Sequence, residues 1–247
     1  MLTANAVKNK KGQKKISVLT CYDFATAAVL NSTSLDMLLV GDSMAEVVYG
    51  YANTTFITMD LMLNHVMAVK KGAPDKHVIA DMPWQSDTSP AAALRNARKF
   101  IQTGADSVKL ENPSTAVVSE LIENEIAVMG HVGLTPQTIH NYQLQGKDPQ
   151  TAERITRDAQ RLAQAGCYAL VLEAIPASLA EHITAVVAIP TICIAAGKKC
   201  DGQVLVINDM LGFDQKQRPY VKKYADYFSI VKTAVEQYIK EIKTTGS

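Results

Sequence analysis

Acidic residues recur at one kind of place in this chain, directly after short apolar runs. Asp42 follows Asp36-Met-Leu-Leu-Val40, Asp81 follows His77-Val-Ile-Ala80, Glu111 follows Ser107-Val-Lys-Leu110, and Glu173 follows Ala169-Leu-Val-Leu172. Asn208 and Asp209 follow Val204–Ile207, and Gly130-His131 follows Ile126–Met129. A single Asp after a strand reads equally well as a helix N-cap or turn residue. Recurrence on four runs does not. Carboxylates gathered on one rim repel one another unless a cation neutralises them. Oxygen-rich ligation suits Mg²⁺, which takes one or two protein carboxylates and completes its shell with water and substrate. Asp42 and Asp81, after neighbouring runs, are the best pair.

Lys109 stands two residues before Glu111, so in a strand both face the same side. An ammonium is too costly to bury alone. Lys109 is therefore expected to meet an anion, either a ligand or Glu111 itself in a structural ion pair. His131 stands apart from His65, His77, His140 and His182, which fall on helices or loop edges and are expected to be surface or packing residues.

The elements that must position these groups alternate. The runs at Ile16–Thr20, 36–40, 77–80, 107–110, 126–129, 169–172, Thr191–Ile194 and Val204–Ile207 read as eight short strands. Helical patterns lie between them near Phe24–Asn31, Met59–Lys71, Ala91–Thr103, Ala116–Glu123, Thr151–Ala165 and Ser178–Val187, with a last one near Tyr224–Thr244. Ser89-Pro90 reads as an N-cap followed by proline in the first turn, and Gly104 as a stop. Eight strand–helix units in 247 residues point to a closed (β/α)₈ barrel in which residues 1–247 form a single domain. An open doubly wound sheet usually carries a Gly-rich phosphate loop after its first strand. Cys21-Tyr-Asp23 stands there instead. In a barrel the acids, Lys109 and His131 all fall at the C-terminal mouth, where such folds keep their active sites. The polar stretch Thr135–Pro149 reads as a lid.

Composition excludes other classes. The chain holds 25 Lys+Arg against 24 Asp+Glu, which gives no electrostatic case for nucleic acid or an anionic membrane. The apolar run Ile183–Ala196 is interrupted by Pro190 and is too short to span a bilayer. Lys8, Lys10, Lys11, Lys14 and Lys15 are followed by no apolar segment, so they read as a solvated stretch, not a secretory leader. Cys21, Cys167, Cys193 and Cys200 form no CxxC pair and are expected as free thiols in a reducing cytoplasm.

Six segments in order, Gly41-Asp42-Ser43, Asp81-Met-Pro83, Val108-Lys-Leu-Glu111, Gly130-His-Val-Gly-Leu-Thr-Pro-Gln137, Leu172-Glu173 and Asp201-Gly-Gln-Val204, make the chain resemble the ketopantoate hydroxymethyltransferase family. The similarity runs from about residue 15 to residue 225, and the ordered series is far more specific than any one segment. The resemblance implies a (β/α)₈ barrel of the phosphoenolpyruvate/pyruvate type. It implies transfer of a one-carbon unit from 5,10-methylenetetrahydrofolate to 3-methyl-2-oxobutanoate, giving ketopantoate for pantothenate and coenzyme A synthesis. It implies Mg²⁺ held by Asp42 and Asp81 with Glu111 close by, Glu173 as catalytic base, and Ser43, Lys109 and His131 in the substrate site beside the two aspartates. It also implies a homodecamer of two pentameric rings. Two departures stand out. Cys193-Ile-Ala-Ala-Gly197 replaces a GxGAG stretch, so Cys193 and Ala195 stand at glycine positions, and Trp84 stands where the family often has Phe.

The chemistry is coherent with these residues. The C3 proton of a 2-oxo acid is weakly acidic, a divalent cation bound through carboxylate and keto oxygens stabilises the enolate, and a carboxylate within reach removes the proton. The rival enzyme reading is a Mg²⁺-dependent C–C lyase or mutase of the phosphoenolpyruvate mutase/isocitrate lyase type. Its nearest trace, Lys198-Lys-Cys200, is followed by Asp201-Gly202 and falls after the seventh run. A barrel kept only for binding is disfavoured because every candidate acid is present.

Overall fold

The computed structural model describes residues 2–139, 142–214 and 221–244. The chain packs as two compact units, Met1–Val204 and Leu205–Ser247. Eight parallel strands close into a barrel in sequence order: β1 (Ile16–Thr20), β2 (Met37–Val40), β3 (His77–Asp81), β4 (Ser107–Glu111), β5 (Val128–Gly133), β6 (Ala169–Glu173), β7 (Thr191–Ile194) and β8 (Gly202–Leu205). The first unit also holds α1 (Ala4–Lys8), α2 (Phe24–Asn31), α3 (Met44–Val47), α4 (Met59–Gly72), α5 (Pro90–Gln102), α6 (Thr115–Glu123), α7 (Pro149–Gln164) and α8 (Ala177–Val186). Helices start where their caps say they should. Ser89 accepts from Ala92 N–H ahead of Pro90, and Asp148 accepts from Thr151 N–H ahead of Pro149.

Residues two apart share a strand face, and the interior follows that rule. Ile16, Val18, Met37, Leu39, Ile79, Met129, Val171, Ile192 and Val204 form one buried cluster inside the barrel. The same inward rows continue to Asp81, His131 and Glu173 at the strand ends. On β4 the inward row is polar throughout: Ser107, Lys109, Glu111. Ser107 satisfies itself low in the barrel, hydrogen-bonding His77 Nε2 at 2.9 Å and Tyr168 OH at 3.0 Å. His77 is thus a buried core residue of β3, not a loop-edge one, with its other ring nitrogen 3.0 Å from Leu2 O. His140 lies outside the described residues.

The N-terminal segment plugs the barrel. Val7 of α1 is fully buried in the interior cluster. The following lysines are not merely solvated. Lys10 pairs with Asp36, Lys11 Nζ is 2.9 Å from Asp201 Oδ2 and 2.6 Å from Thr184 O, and Lys15 reaches Cys200 O. A short apolar stretch among lysines carried too little periodicity to announce a helix.

Two strands differ from the sequence expectation. β5 extends to Gly133, so His131 lies within it, because Gly130 and Gly133 are not turn glycines. A Cβ on Gly130 would come within 2.7 Å of Leu170 Cδ2 and 3.0 Å of Leu162 Cδ1, so glycine here lets α7 and β6 close on β5. β8 begins earlier, at Gly202, whose bare α-carbon faces Ile16 O at the barrel closure. Asn208 and Asp209 therefore belong to a helix, α9 (Ile207–Leu211), instead of a strand end.

Among the described residues no helix joins β7 to β8. Seven residues make the return, and the fold-back joins Cys193 and Cys200 in a disulfide, with Cα atoms 5.9 Å apart. The expectation of four free thiols is corrected for this pair; Cys21 and Cys167 are free and buried. Ala195 in the return has φ 50°, in the left-handed region that favours glycine, which explains why a glycine was expected there.

The second unit carries α9, ended by Gly212 at φ 73°, and α10 (Tyr227–Thr244), none of whose residues is buried. No described helix is long and apolar enough to cross a membrane.

Candidate active site

Strand register brings the predicted residues together. Asp81 pairs across the sheet with Lys109, Glu111 with His131, and Gly133 with Glu173. Lys109 Nζ stands 2.8 Å from Asp81 Oδ1 and 3.3 Å from His131 Nδ1. His131 Nδ1 is 3.8 Å from Glu111 Oε1, and its Nε2 is 3.4 Å from Glu173 Oε2. Asp81 Oδ2 accepts the Asp42 backbone N–H at 3.0 Å. Gly133, at φ 102°, sits where a Cβ would come within 2.3 Å of Glu173 O, and the next N–H, from Leu134, donates to that oxygen at 2.9 Å. Glycine at 133 is what lets the end of β6, with Glu173, lie this close to β5.

Ser43, after Gly41-Asp42, hydrogen-bonds Tyr22 OH at 2.9 Å. Two residues of this wall were not singled out from sequence. Tyr22 follows β1 and is buried. Gln137, at the end of the quoted Gly130–Gln137 string, donates from Nε2 to Asp42 Oδ2 at 2.8 Å and from its backbone N–H to Glu111 Oε2 at 3.0 Å. Farther along the chain Tyr142 OH is 3.2 Å from both carboxylate oxygens of Glu46, and Gln145 N–H donates to Ala174 O at 2.8 Å.

The electrostatics are those of too many acids for one cation. Burial, with Asp42 adding repulsion and Lys109 opposing it, pushes Asp81 up to about 7. Burial and the Asp42 charge push Glu111 well above the usual carboxylate range. Burial disfavours the charged form of Lys109, yet Asp81, Asp42 and Glu111 together hold its pKa above normal. Burial, then the Lys109 charge, lowers His131, so the imidazole is neutral. Asp81 Oδ1 is buried, and among the described residues its polar contact is the Lys109 ion pair. Among the described residues no three His, Cys, Asp or Glu side chains form a ready-made metal cage. Two aspartates after adjacent strands nevertheless offer oxygen donors of the type a hard cation uses when water and substrate fill its remaining positions.

Fold and site define a (β/α)₈-barrel protein with an acidic, lysine-bearing mouth. Solved structures of that architecture include 2,3-dimethylmalate lyase, a phosphoenolpyruvate mutase/isocitrate lyase superfamily member (TM-score 0.65, 17% identity, 100% of this chain and 90% of that one). Another is phosphonopyruvate hydrolase in complex with oxalate and Mg²⁺ (TM-score 0.66, 11% identity, 99% and 88%). At such identities the likeness is one of fold. Sequence is more specific. The family model for ketopantoate hydroxymethyltransferase matches residues 1–246. The 3-methyl-2-oxobutanoate hydroxymethyltransferases of Desulfotalea psychrophila (47% identity, 95% of this chain, 87% of that one) and Pyrobaculum calidifontis (43%, 94% and 90%) are similar over nearly their whole lengths. That of Coxiella burnetii is 40% identical over 99% of this chain and 95% of its own. The chain belongs to the ketopantoate hydroxymethyltransferase family.

Proposed function

We propose that the protein transfers a hydroxymethyl group from 5,10-methylenetetrahydrofolate to 3-methyl-2-oxobutanoate, giving 2-dehydropantoate. The observation that carries this reading is Glu173. Its side chain is more open than those of the acids beside it, 20% exposed against 4% for Glu111 and 3% for Asp81. It therefore has room to face a substrate carbon while the others face inward.

The cation is Mg²⁺, held by Asp42 and Asp81 with Glu111 beside them, and supplies Lewis-acid polarisation of the 2-oxo group when bound. Crowding among these acids, with Asp81 raised to about 7 by burial and by the nearby Asp42 charge, supports that assignment. Glu173 removes the C3 proton of the oxo acid. His131, neutral and 3.4 Å from Glu173 Oε2, orients that carboxylate. Lys109 holds positive charge against the inward acids and the substrate carboxylate, and Ser43, fixed by Tyr22, lines the same wall. The folate stands at the same mouth, where its one-carbon unit meets C3.

The working assembly is a homodecamer of two pentameric rings. Support comes from α10, where Ile230, Tyr238 and Ile242 are 58%, 65% and 58% exposed, an apolar face of the kind that subunit contacts cover. Its place is the cytoplasm.

The test is product analysis. Purified protein with Mg²⁺, 3-methyl-2-oxobutanoate and 5,10-methylenetetrahydrofolate yields 2-dehydropantoate. Folate-independent cleavage of a 2,3-disubstituted malate instead would assign the protein to the lyase reaction.

A further inference from the structure

Gln137 is a residue of the mouth for which the reaction itself assigns no task, and it hydrogen-bonds two of the acids, Asp42 and Glu111. It sits in a tight turn after β5, with Thr138 and Ile139 N–H groups donating to Thr135 O at 2.9 and 2.8 Å, and Thr135 Oγ1 2.8 Å from Thr138 Oγ1. From that turn its side chain enters the barrel, and only 8% of the residue stays exposed. Both side-chain amide protons are used: Nε2 donates to Asp42 Oδ2 at 2.8 Å and to Met82 O at 2.9 Å. The backbone N–H donates to Glu111 Oε2 at 3.0 Å. One residue thereby joins the ends of β2, β3 and β4.

The orientation of this amide is forced. Both of its side-chain partners are pure acceptors, so a flipped amide would set Oε1 against two oxygens with no proton between them. A buried amide tolerates no such mismatch. Oδ2 of Asp42 is consequently occupied by the side-chain amide, while Oε2 of Glu111 is occupied by the Gln137 backbone N–H. The other oxygen of each remains for a different partner.

We propose that Gln137 is the positioning residue of the cation site. By occupying one oxygen of Asp42 and one of Glu111 it sets which oxygens face the cation, and it ties the turn after β5 to the metal carboxylates. The inference rests on the assignment of Asp42 and Asp81 as metal ligands. Gln137 itself touches neither cation nor reacting carbon. It acts as the partners of metal ligands generally do, where loss of one hydrogen bond weakens metal affinity or activity by about 10–100-fold.

The experiment uses the full chain and Mn²⁺ as probe, titrated by electron paramagnetic resonance, which counts free Mn²⁺ and reports the symmetry of the bound ion. Gln137→Met keeps the length and removes both donors, and Gln137→Asn keeps an amide too short to reach both acceptors. The dissociation constant for Mn²⁺ is expected to rise about 10–100-fold in Gln137→Met and less in Gln137→Asn. The bound-ion spectrum is expected to change in both, and activity to recover in part at high Mg²⁺, so that the metal requirement shifts more than kcat. Asp42→Asn is the control and is expected to abolish tight Mn²⁺ binding. Should Gln137→Met fail to fold, Gln137→Asn decides. Unchanged Mn²⁺ affinity and spectrum in a folded Gln137 variant, with binding lost in Asp42→Asn, overturns the role of Gln137 while the metal assignment stands. Unchanged binding in Asp42→Asn overturns the metal assignment and the inference together.

Discussion

Lys109 and Asp81, adjacent across the β3–β4 register, form an ion pair with Nζ 2.8 Å from Oδ1 inside the barrel mouth, their side chains only 6% and 3% exposed. An ammonium buried this deeply is tolerable only because three acids surround it. Lys109→Met removes that charge and leaves Asp81 buried without its partner, a change that typically costs about 3–5 kcal/mol. In metal-free protein the variant is expected to unfold at markedly lower urea than the parent. A double variant, Lys109→Met with Asp81→Asn, is expected to regain part of the loss. Equal stability of the parent and the single variant would mean that the pair contributes nothing.

Glu173→Gln keeps the shape of the side chain and removes the proton acceptor. Exchange of C3–H of 3-methyl-2-oxobutanoate into D₂O, followed by proton NMR, is expected to slow by about 10²–10⁴-fold. Mn²⁺ binding should be retained, since Glu173 lies on the far side of His131 from Asp81. Exchange at the parent rate would remove Glu173 from the role of base.

Asp201, which the family resemblance marks, is a structural residue. It accepts from Thr191 N–H at 2.9 Å, Lys11 Nζ at 2.9 Å and Gly12 N–H at 3.0 Å, binding the N-terminal segment to β7. Burial works to raise its pKa, but these donors outweigh it and hold the carboxyl below the ordinary value. A depressed folded-state pKa contributes stability above the unfolded value of about 3.9, lost as pH falls through the folded value. Asp201→Asn is therefore expected to be less stable than the parent near neutrality, by about 1–3 kcal/mol for a charged acceptor. The gap should narrow below about pH 4. Urea midpoints across that range test it, and a gap independent of pH would assign the loss to packing.

Cys193–Cys200 closes the only strand connection in the barrel that lacks a helix among the described residues. A disulfide over so short a loop is expected to add about 2–3 kcal/mol. Denatured, unreduced protein should show two titratable thiols and reduced protein four. Dithiothreitol should lower the melting temperature of the parent and leave Cys200→Ser unchanged. Four thiols before reduction would exclude the bond.

Much of this was readable from the chain alone, because strand and helix periods and caps are local properties. The positions of β1 to β4, β6 and β7, the helices α2 and α4 to α8, and the acids at the ends of β2, β3, β4 and β6 all follow from patterns a few residues long. So does Ser89-Pro90 as a helix start, whereas Pro149, read as the end of a lid, opens α7 behind the Asp148 cap. Tertiary structure alone decided what depends on closure. The fifth apolar run stops at Met129, and only the close approach of Leu162, Leu170 and Glu173 to Gly130 and Gly133 carries the strand on to Gly133. The amide of Gln137 meets Asp42 across 95 residues of sequence, and Lys11 meets Asp201 across 190. Cys193 and Cys200 show no motif, yet a return without a helix folds one onto the other. Such partners are chosen by the register at which eight strands can close around a packed interior, a constraint on the whole ring that no window of sequence contains.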